Sequence, residues 1–599
     1  MTRLEQKPAG YTVRRLLMPL RPLQYIAWLL FGLSGGCLIL IDVWSLRLIT
    51  RHLTSGSEQL QPIFEIILFY CAAAGLLKIL QSQAERRSYA SFNHHRMSFM
   101  AQLLRQYMTM DFHLYENQSF LDEAESAFRA VQNNQEGVEG MYHKMFSLLA
   151  DLAALLLLSL LLWSVSPLIV AAFIVYILVS VWMMQIVSAY RFRRRERLSE
   201  SRRRNAVYGS QASDFSYGKD TRLFSAGPRL HRYYQNEIDR LSALLRDFFK
   251  IEHRVSFLTI FFLVLCDLIA FILLIRQLRN GLPTADFVMY LSAVTVASLI
   301  ATRLGDSLSF MVRELKYCQV MLGFADANLI TEDSGTPFSS DGPVHIEFDH
   351  VTFTYPTGNE PVLENLSFSL EAGKCLALVG INGAGKTTIV KLLTGLYRPD
   401  SGRILLNGED YTRFSIADLQ RLFAVVFQEV SPLAVTVAEN VAAAREGICR
   451  ERVEDCLRQV GLWEKISRQA QGMDRVLFKI VDPQGLVLSG GENQKLLIAR
   501  ALYRRDARVL VMDEPTASLD ALAEEKIYRE MDQNMAGKTG LFISHRLAST
   551  RFCDEILLLN SGRIAERGTH DQLMARDGSY AHMFRTQGRY YQEAGDEEA

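Results

Sequence analysis

Apolar and polar positions divide this chain into two unlike halves. Between Leu152 and Tyr190 no residue is charged, and one helix of that length is about 58 Å long, nearly twice the roughly 30 Å hydrocarbon core of a bilayer. The run therefore crosses twice. The stretch WSVSPLI supplies the break, because Pro167 disfavours helix at the residue before it. Further apolar runs at about 23 to 50, 62 to 80, 255 to 275 and 285 to 305 bring the expected spans to six. The fifth carries Asp267 near its centre, at a cost of about 3 kcal/mol; its roughly sixteen Leu, Ile, Val and Phe residues together favour insertion by about 5 to 9 kcal/mol. Insertion wins. The second has about a dozen uncharged residues in a row before Lys78, and it is kept because an even number of spans returns the following half to the side where the N-terminus began.

The links between spans differ in length. Those after the third and fifth spans are short and carry little charge, whereas about sixty residues follow the second and again the fourth. Both long links keep helical periodicity with few Gly or Pro, so the membrane helices are expected to continue beyond the bilayer. Such legs turn over at DFHLYENQSFLDE (111 to 123) and near SDFSYGKDTRLF (213 to 224), and each tip is placed to touch a soluble domain. Basic residues cluster in RFRRRERLSESRRR after the fourth span and at Arg14, Arg15 and Arg21, which puts both termini on the cytoplasmic side. The Arg run itself reads as a solvated helix face near anionic lipid. Asp42, Asp151 and Asp267 lie in or beside apolar spans. Intramembrane carboxylates either serve function or bond neighbouring helices, and the sequence leaves both readings open.

After the sixth span, EDSGTPFSSDGP reads as a linker. The pattern then changes period. VHIEFDHVTFTYP alternates apolar and polar residues as a half-buried strand does, and CLALVG, a fully apolar strand, leads through INGAGKTT into the amphipathic helix IVKLLTGL. The expected divisions are an N-terminal interfacial segment 1–22, a six-helix transmembrane domain 23–325 with long cytoplasmic extensions, a linker 326–343, a nucleotide-binding domain 344–590 and an acidic tail 591–599. The fold class is a membrane all-α six-helix bundle fused to an α/β P-loop NTPase domain.

Composition narrows the picture. At 599 residues the chain holds several domains. Its 65 Lys and Arg balance 65 Asp and Glu, so there is no basic excess of the kind nucleic acid binding requires. The eight cysteines show no C-x-x-C pair and no metal-ligand spacing, and read as core residues or free thiols. The N-terminal stretch has no apolar signal-peptide core, so the first apolar run is expected to stay in the mature protein.

Gly380 to Thr387 fits G-x-x-x-x-G-K-[ST]. The glycines let successive N–H groups curl around phosphate oxygens, Lys386 meets the outer phosphates, and the Thr387 hydroxyl reaches Mg²⁺. The helix start behind the loop favours anions. Further on, the apolar strand VLVMDE ends in two carboxylates, which suits Asp513 to the metal and Glu514 to an attacking water. Lone carboxylates at a strand end often cap a helix, but beside a phosphate loop the catalytic reading is preferred.

With these elements in order, the chain resembles an ABC exporter half-transporter, over nearly its whole length. By that resemblance GINGAGKTT is the Walker A loop, so Gly380, Asn382, Gly383, Ala384, Gly385, Lys386, Thr387 and Thr388 bind the nucleotide. VLVMDE is the Walker B strand, and Gln428 in VVFQE is the Q-loop glutamine, assigned to the catalytic set and, with Thr387 and Asp513, to the metal. Asp520 in SLD belongs to the D-loop, His545 in FISHR is the switch histidine, and Tyr355 in FTYP stacks on adenine. LSGGE matches the signature motif, whose Ser489, Gly490 and Gly491 close over ATP held by another copy. Glu514, His545, Lys386 and Gln428 form the implied catalytic set. Two departures stand out: VDPQGLV before the signature differs from the Thr-Glu-Val-Gly-Glu pattern of many exporters, and Asn493 replaces the usual Arg or Gln.

The resemblance implies ATP and Mg²⁺ as cofactors and ATP-driven export by alternating access. The partner is a second copy of the chain or a related half-transporter, working in the lipid bilayer of the cytoplasmic membrane. Intact Glu514 and LSGGE favour a homodimer over an asymmetric pair. An ATP-gated channel or regulatory module is the rival from another class. Peptide, lipid and amphipathic small molecule all stand open as substrates.

Overall fold

The computed structural model describes residues 6–19, 21–55, 60–214, 217–330, 335–338, 342–428, 431–515, 524 and 537–596. They form two compact units. One holds Met1–Met110 with Gln118–Leu329, the other Asp111–Asn117 with Ile330–Ala599.

Among the described residues the regular elements of the first unit are all helices: α1 (Ala9–Leu17), α2 (Pro22–Thr54), α3 (Gln61–Thr109), α4 (Gln118–Gln132), α5 (Gly137–Trp163), α6 (Pro167–Arg193), α7 (Arg195–Ser213), α8 (Gly218–Leu223), α9 (Gly227–Arg279) and α10 (Thr284–Ala325). Six of these, α2, α3, α5, α6, α9 and α10, are long and apolar enough to cross a membrane. The expected break falls where Pro167 requires it, since α5 ends at Trp163 and α6 starts at Pro167 itself, the position at which a missing N–H costs nothing. The second expected span forms as well, and α3 runs 49 residues without interruption.

Burial follows helical spacing. On α10, Met289, Ala293, Val294, Ala297, Ile300, Ala301 and Leu304 are buried together with Ala154, Leu158 and Leu162 of α5. Leu156, Leu160, Leu178 and Phe257 on other faces stay exposed, as lipid-facing positions do. Small residues let the backbones approach. A Cβ at Gly35 would stand 2.9 Å from Ala150 Cβ, which sets how closely α2 meets α5. α10 is the central helix: its apolar stretch is the most buried of the six and that of α3 the least.

Each of the three intramembrane carboxylates finds a partner on a neighbouring helix. Tyr70 Oη donates to Asp42 Oδ1 at 2.8 Å, Arg303 lies 2.8 Å from Asp151, and Ser298 Oγ donates to Asp267 Oδ2 at 3.1 Å. Of the two readings open in the sequence, helix bonding is met at all three. Deeper in the unit, Arg96 of α3 donates to Glu139 of α5 at 2.6 Å and to Val131 O at 3.0 Å, while Glu314 of α10 accepts from Gly137 N at 3.0 Å. These buried charges are all hydrogen-bonded, which is the condition for tolerating them.

The second unit contains two sheets. Strands β1 (Ile346–Phe353), β2 (Leu363–Leu370), β4 (Ser401–Leu406) and β5 (Glu409–Asp410) form an antiparallel sheet in the order β2-β1-β4-β5. Strands β3 (Cys375–Gly380), β6 (Phe423–Val426), β7 (Val509–Asp513), β8 (Thr539–Ile543), β9 (Glu555–Asn560) and β10 (Arg563–Gly568) form a sheet ordered β10-β9-β3-β8-β7-β6. All but β10 run parallel in it. Every residue of β3, β7 and β8 is buried, as expected of parallel strands covered on both faces. β1 instead alternates, as its sequence predicts. Helices α11 (Lys386–Leu393), α12 (Ile416–Leu422), α13 (Val437–Ala442), α14 (Arg450–Gln459), α15 (Trp463–Ser467) and α16 (Gly490–Tyr503) pack around this sheet. The C-terminal ends of β3 and β7 therefore lie on the same edge of the sheet, flanking β8, the edge at which open parallel sheets bind ligands.

Candidate functional site: a phosphate loop and a carboxylate cluster

The loop between β3 and α11 is shaped for an anion. Gly383 and Gly385 have φ of +84° and +102°, a region that side-chain-bearing residues avoid. At Gly385 a Cβ would also stand 2.6 Å from Leu363 Cδ2. Among the described residues the N–H groups of Asn382, Gly383 and Gly385 have no backbone acceptor, while Ala384 N–H closes the turn onto Ile381 O at 3.2 Å. Three free donors at a helix start are suited to a phosphate. Lys386 folds back along the loop and donates to Gly380 O at 2.8 Å and Ile381 O at 3.2 Å. Burial lowers its pKa, and Glu514 and Asp513 pull the other way.

Asp513 ends β7 and is 1% exposed. Neither carboxylate oxygen has a donor in hydrogen-bond geometry among the described residues. Burial pushes its pKa up to about 6; Glu514 adds to the rise, and the nearby Thr387 hydroxyl and Lys386 ammonium oppose it. A buried carboxylate with two orphaned oxygens, beside a hydroxyl, is an incomplete set of hard oxygen donors. It fits Mg²⁺, which takes one or two protein carboxylates and completes its shell with phosphate and water. No cluster of three His, Cys, Asp or Glu side chains suited to a metal exists among the described residues, so an all-protein cage is not offered.

Glu514 follows in a left-handed conformation, φ +52°, with its N–H bonded to Ile543 O at 3.0 Å. That turn swings the carboxylate off the strand axis into a group of polar side chains. Gln428 Nε2 donates to Glu514 Oε2 at 2.7 Å, and His545 Nε2 pairs with Oε1. The structure thus joins Gln428, Glu514 and His545, which are spread over more than a hundred residues of sequence. The amide oxygen of Gln428, the atom a metal role requires, makes no hydrogen bond among the described residues. Gln494 of α16 donates to Glu514 O at 3.1 Å and holds the strained residue from behind. Sequence reading missed Gln494, because a polar residue in the second turn of an amphipathic helix carries no motif of its own.

Tyr355 sits at the edge of the loop. Its hydroxyl lies 3.0 Å from Thr388 Oγ1, and Lys391 Nζ lies 5.1 Å from its ring centroid. Segment Asp111–Asn117 joins the same aromatic group: Phe112 meets Tyr397 edge-on at 5.7 Å, and Glu116 lies 3.7 Å from Lys391. Ser489 caps α16, accepting from Glu492 N–H at 3.3 Å, and Gly490 and Gly491 form the first helical turn. Asp520 and the rest of the expected D-loop lie outside the described residues.

Residues 363–517 match the ABC transporter family. The chain is 38% identical over 321 residues to the ATP-dependent lipid A-core flippase of Vibrio cholerae serotype O1, covering 53% of this chain and 54% of that protein. It is 40% identical over 277 residues to the protein of the same name from Blochmanniella pennsylvanica, 46% of each. The chain spans about half the length of the curated relatives it matches. The solved structure of a bacterial Atm1-family ABC exporter with ATP bound superposes with a TM-score of 0.76 at 23% identity, covering 94% of this chain and 98% of that one. Residues 363–517 are therefore similar to the ABC transporter family, and the chain as a whole shares the fold of the ABC exporter it superposes on, six long apolar helices joined to one α/β domain.

Proposed function

We propose that this protein is an ATP-driven exporter that works as a dimer of identical chains with two ATP molecules sandwiched between their nucleotide-binding domains. The observation that carries the reading is the carboxylate cluster: orphaned Asp513, strained Glu514 and its partners His545 and Gln428 stand beside the Lys386 loop, in a chain that also supplies six apolar spans. In this reading the N–H groups of Asn382, Gly383 and Gly385 and the Lys386 ammonium hold the β- and γ-phosphates, and Tyr355 takes the adenine. Thr387, Asp513 and Gln428 hold Mg²⁺, which when bound neutralises charge developing on the phosphates. Glu514 orients the attacking water, and His545 and Gln428 keep its carboxylate aimed. Ser489, Gly490 and Gly491 serve the ATP of the other copy, so each domain closes the other's site.

The domain divisions 1–22, 23–325, 326–343, 344–590 and 591–599 are part of the same proposal, with both termini and the nucleotide-binding domain on the cytoplasmic side of the cytoplasmic membrane. ATP binding draws the two domains together, the bundle passes from inward-open to outward-open, and hydrolysis resets it. Of the three substrate classes open from sequence, we favour an amphipathic lipid, because the curated relatives reported above are named lipid A-core flippases. In proteoliposomes, ATP-dependent transfer of a glycolipid between leaflets is expected, with no transfer when Glu514 is replaced by Gln. Stimulation of hydrolysis by peptides alone would overturn the substrate class, and ion current without matching hydrolysis would overturn export.

A further inference from the structure

The signature turn carries its own anion. Glu492 is the third residue of α16; its Oε2 accepts from Ser489 N–H at 2.8 Å while Ser489 Oγ caps the Glu492 N–H. A carboxylate here stabilises the helix start. It also cancels the positive potential that this helix start offers to an arriving phosphate. Burial pushes the Glu492 carboxyl up, but bonds from Lys465 and Ser489 together outweigh that and hold it below the usual carboxylate range, so the charge is present at neutral pH.

Lys465 answers that charge. Its Nζ lies 2.7 Å from Glu492 Oε1 and 2.6 Å from Oε2, a contact to both oxygens from a separate element, α15. α15 is held in place by Ile466, which is fully buried in the core that also contains Leu496 and Ile498 of α16. The ammonium is thus set by the fold against the first turn of α16. An ordinary surface ion pair contributes little to stability. A pair beside a turn that must receive a polyanion acts on binding instead.

We infer that Lys465 is a positioning residue for the nucleotide: by neutralising Glu492 it allows the Ser489–Gly491 turn to accept the γ-phosphate of ATP held by the phosphate loop of a second copy. The inference rests on the dimeric reading above. Its chemistry is charge compensation, and it predicts a defect in ATP capture rather than in the hydrolytic step.

The test is the ATP dependence of hydrolysis by the full-length protein in lipid nanodiscs, for wild type, Lys465→Gln, Lys465→Arg, Glu492→Gln and the double variant Lys465→Gln with Glu492→Gln. In Lys465→Gln the half-saturating ATP concentration is expected to rise about fivefold, the scale of one uncompensated and partly exposed charge. The maximal rate should stay within about twofold, and the shift should shrink at high salt. Lys465→Arg and the double variant should return the half-saturating concentration to near wild type. A loss of folded protein would lower the maximal rate without moving half-saturation. Half-saturation unmoved in Lys465→Gln, or a double variant as impaired as the single one, overturns the inference while leaving the dimer intact. Failure of wild type to hydrolyse ATP would instead overturn the reading on which it stands.

Discussion

The side-chain amide of Gln428 donates to Glu514 Oε2 across 2.7 Å, linking the residue after β6 to the one after β7. With His545 on the other carboxylate oxygen, Glu514 is held on both sides. A carboxylate fixed in this way is oriented rather than merely available, and orientation is most of what phosphoryl transfer asks of a protein.

The first prediction concerns that carboxylate. Glu514→Gln preserves the shape of the site and its hydrogen bond to Gln428 but removes the carboxylate proposed to orient the attacking water. Turnover should fall by about 10² to 10⁴, while ATP still binds and still closes the dimer. Phosphate release together with trapping of labelled ATP measures both, and undiminished hydrolysis would refute the assigned role.

Gln494 is expected to act behind it. Its bond to Glu514 O supports a residue at φ +52°, and loss of one such hydrogen bond is worth about 1 kcal/mol. Gln494→Leu should lower the maximal rate about fivefold and leave ATP affinity unchanged. Titration with a fluorescent ATP analogue, run beside steady-state hydrolysis, separates the two.

The loop itself admits a sharper change. At Gly385, φ is +102° and a Cβ would meet Leu363 Cδ2. Gly385→Ala places strain of about 1 to 3 kcal/mol on the phosphate cradle, so ATP affinity should fall about tenfold or more. Equilibrium nucleotide binding checks this, and an unchanged affinity would show that the cradle does not hold the phosphates.

Acid should weaken the metal site. Burial raises the Asp513 pKa to about 6. The protonated carboxyl therefore suits the nucleotide-free fold: its stabilising contribution is complete below the unfolded value near 4 and is lost as pH rises through about 6. Metal binding requires the opposite form. The Mg²⁺ concentration for half-maximal hydrolysis should rise about tenfold from pH 7 to pH 5, and Asp513→Asn should remove this one contribution to the pH dependence of stability. Thermal unfolding and Mg²⁺ titrations across that range are the measurements.

Much of this was legible in the sequence, for identifiable reasons. The break at Pro167 and the six spans follow from hydropathy and from the geometry of proline, and both are found. The strand, loop and helix around Lys386 follow from a change of period within twenty residues. Contacts between distant segments were less accessible. That Asp111–Asn117 groups with the nucleotide unit was foreseen only as a leg tip placed to touch a soluble domain. Lys465 against Glu492 and Gln494 against Glu514 were not foreseen, because periodicity reports which face of an element is apolar and not which elements face each other. The intramembrane carboxylates had two readings for the same reason, and only the neighbouring Tyr70, Arg303 and Ser298 distinguish a bonded group from an isolated one.

The central claim is that each ATP is shared by two copies. In a mixed dimer, one protomer carrying Lys386→Ala and the other Ser489→Ala, one composite site keeps both its phosphate loop and its signature turn. The account predicts ATP hydrolysis by this purified pair well above that of the dimer in which both protomers carry Lys386→Ala. Equal and negligible hydrolysis by the two would contradict it.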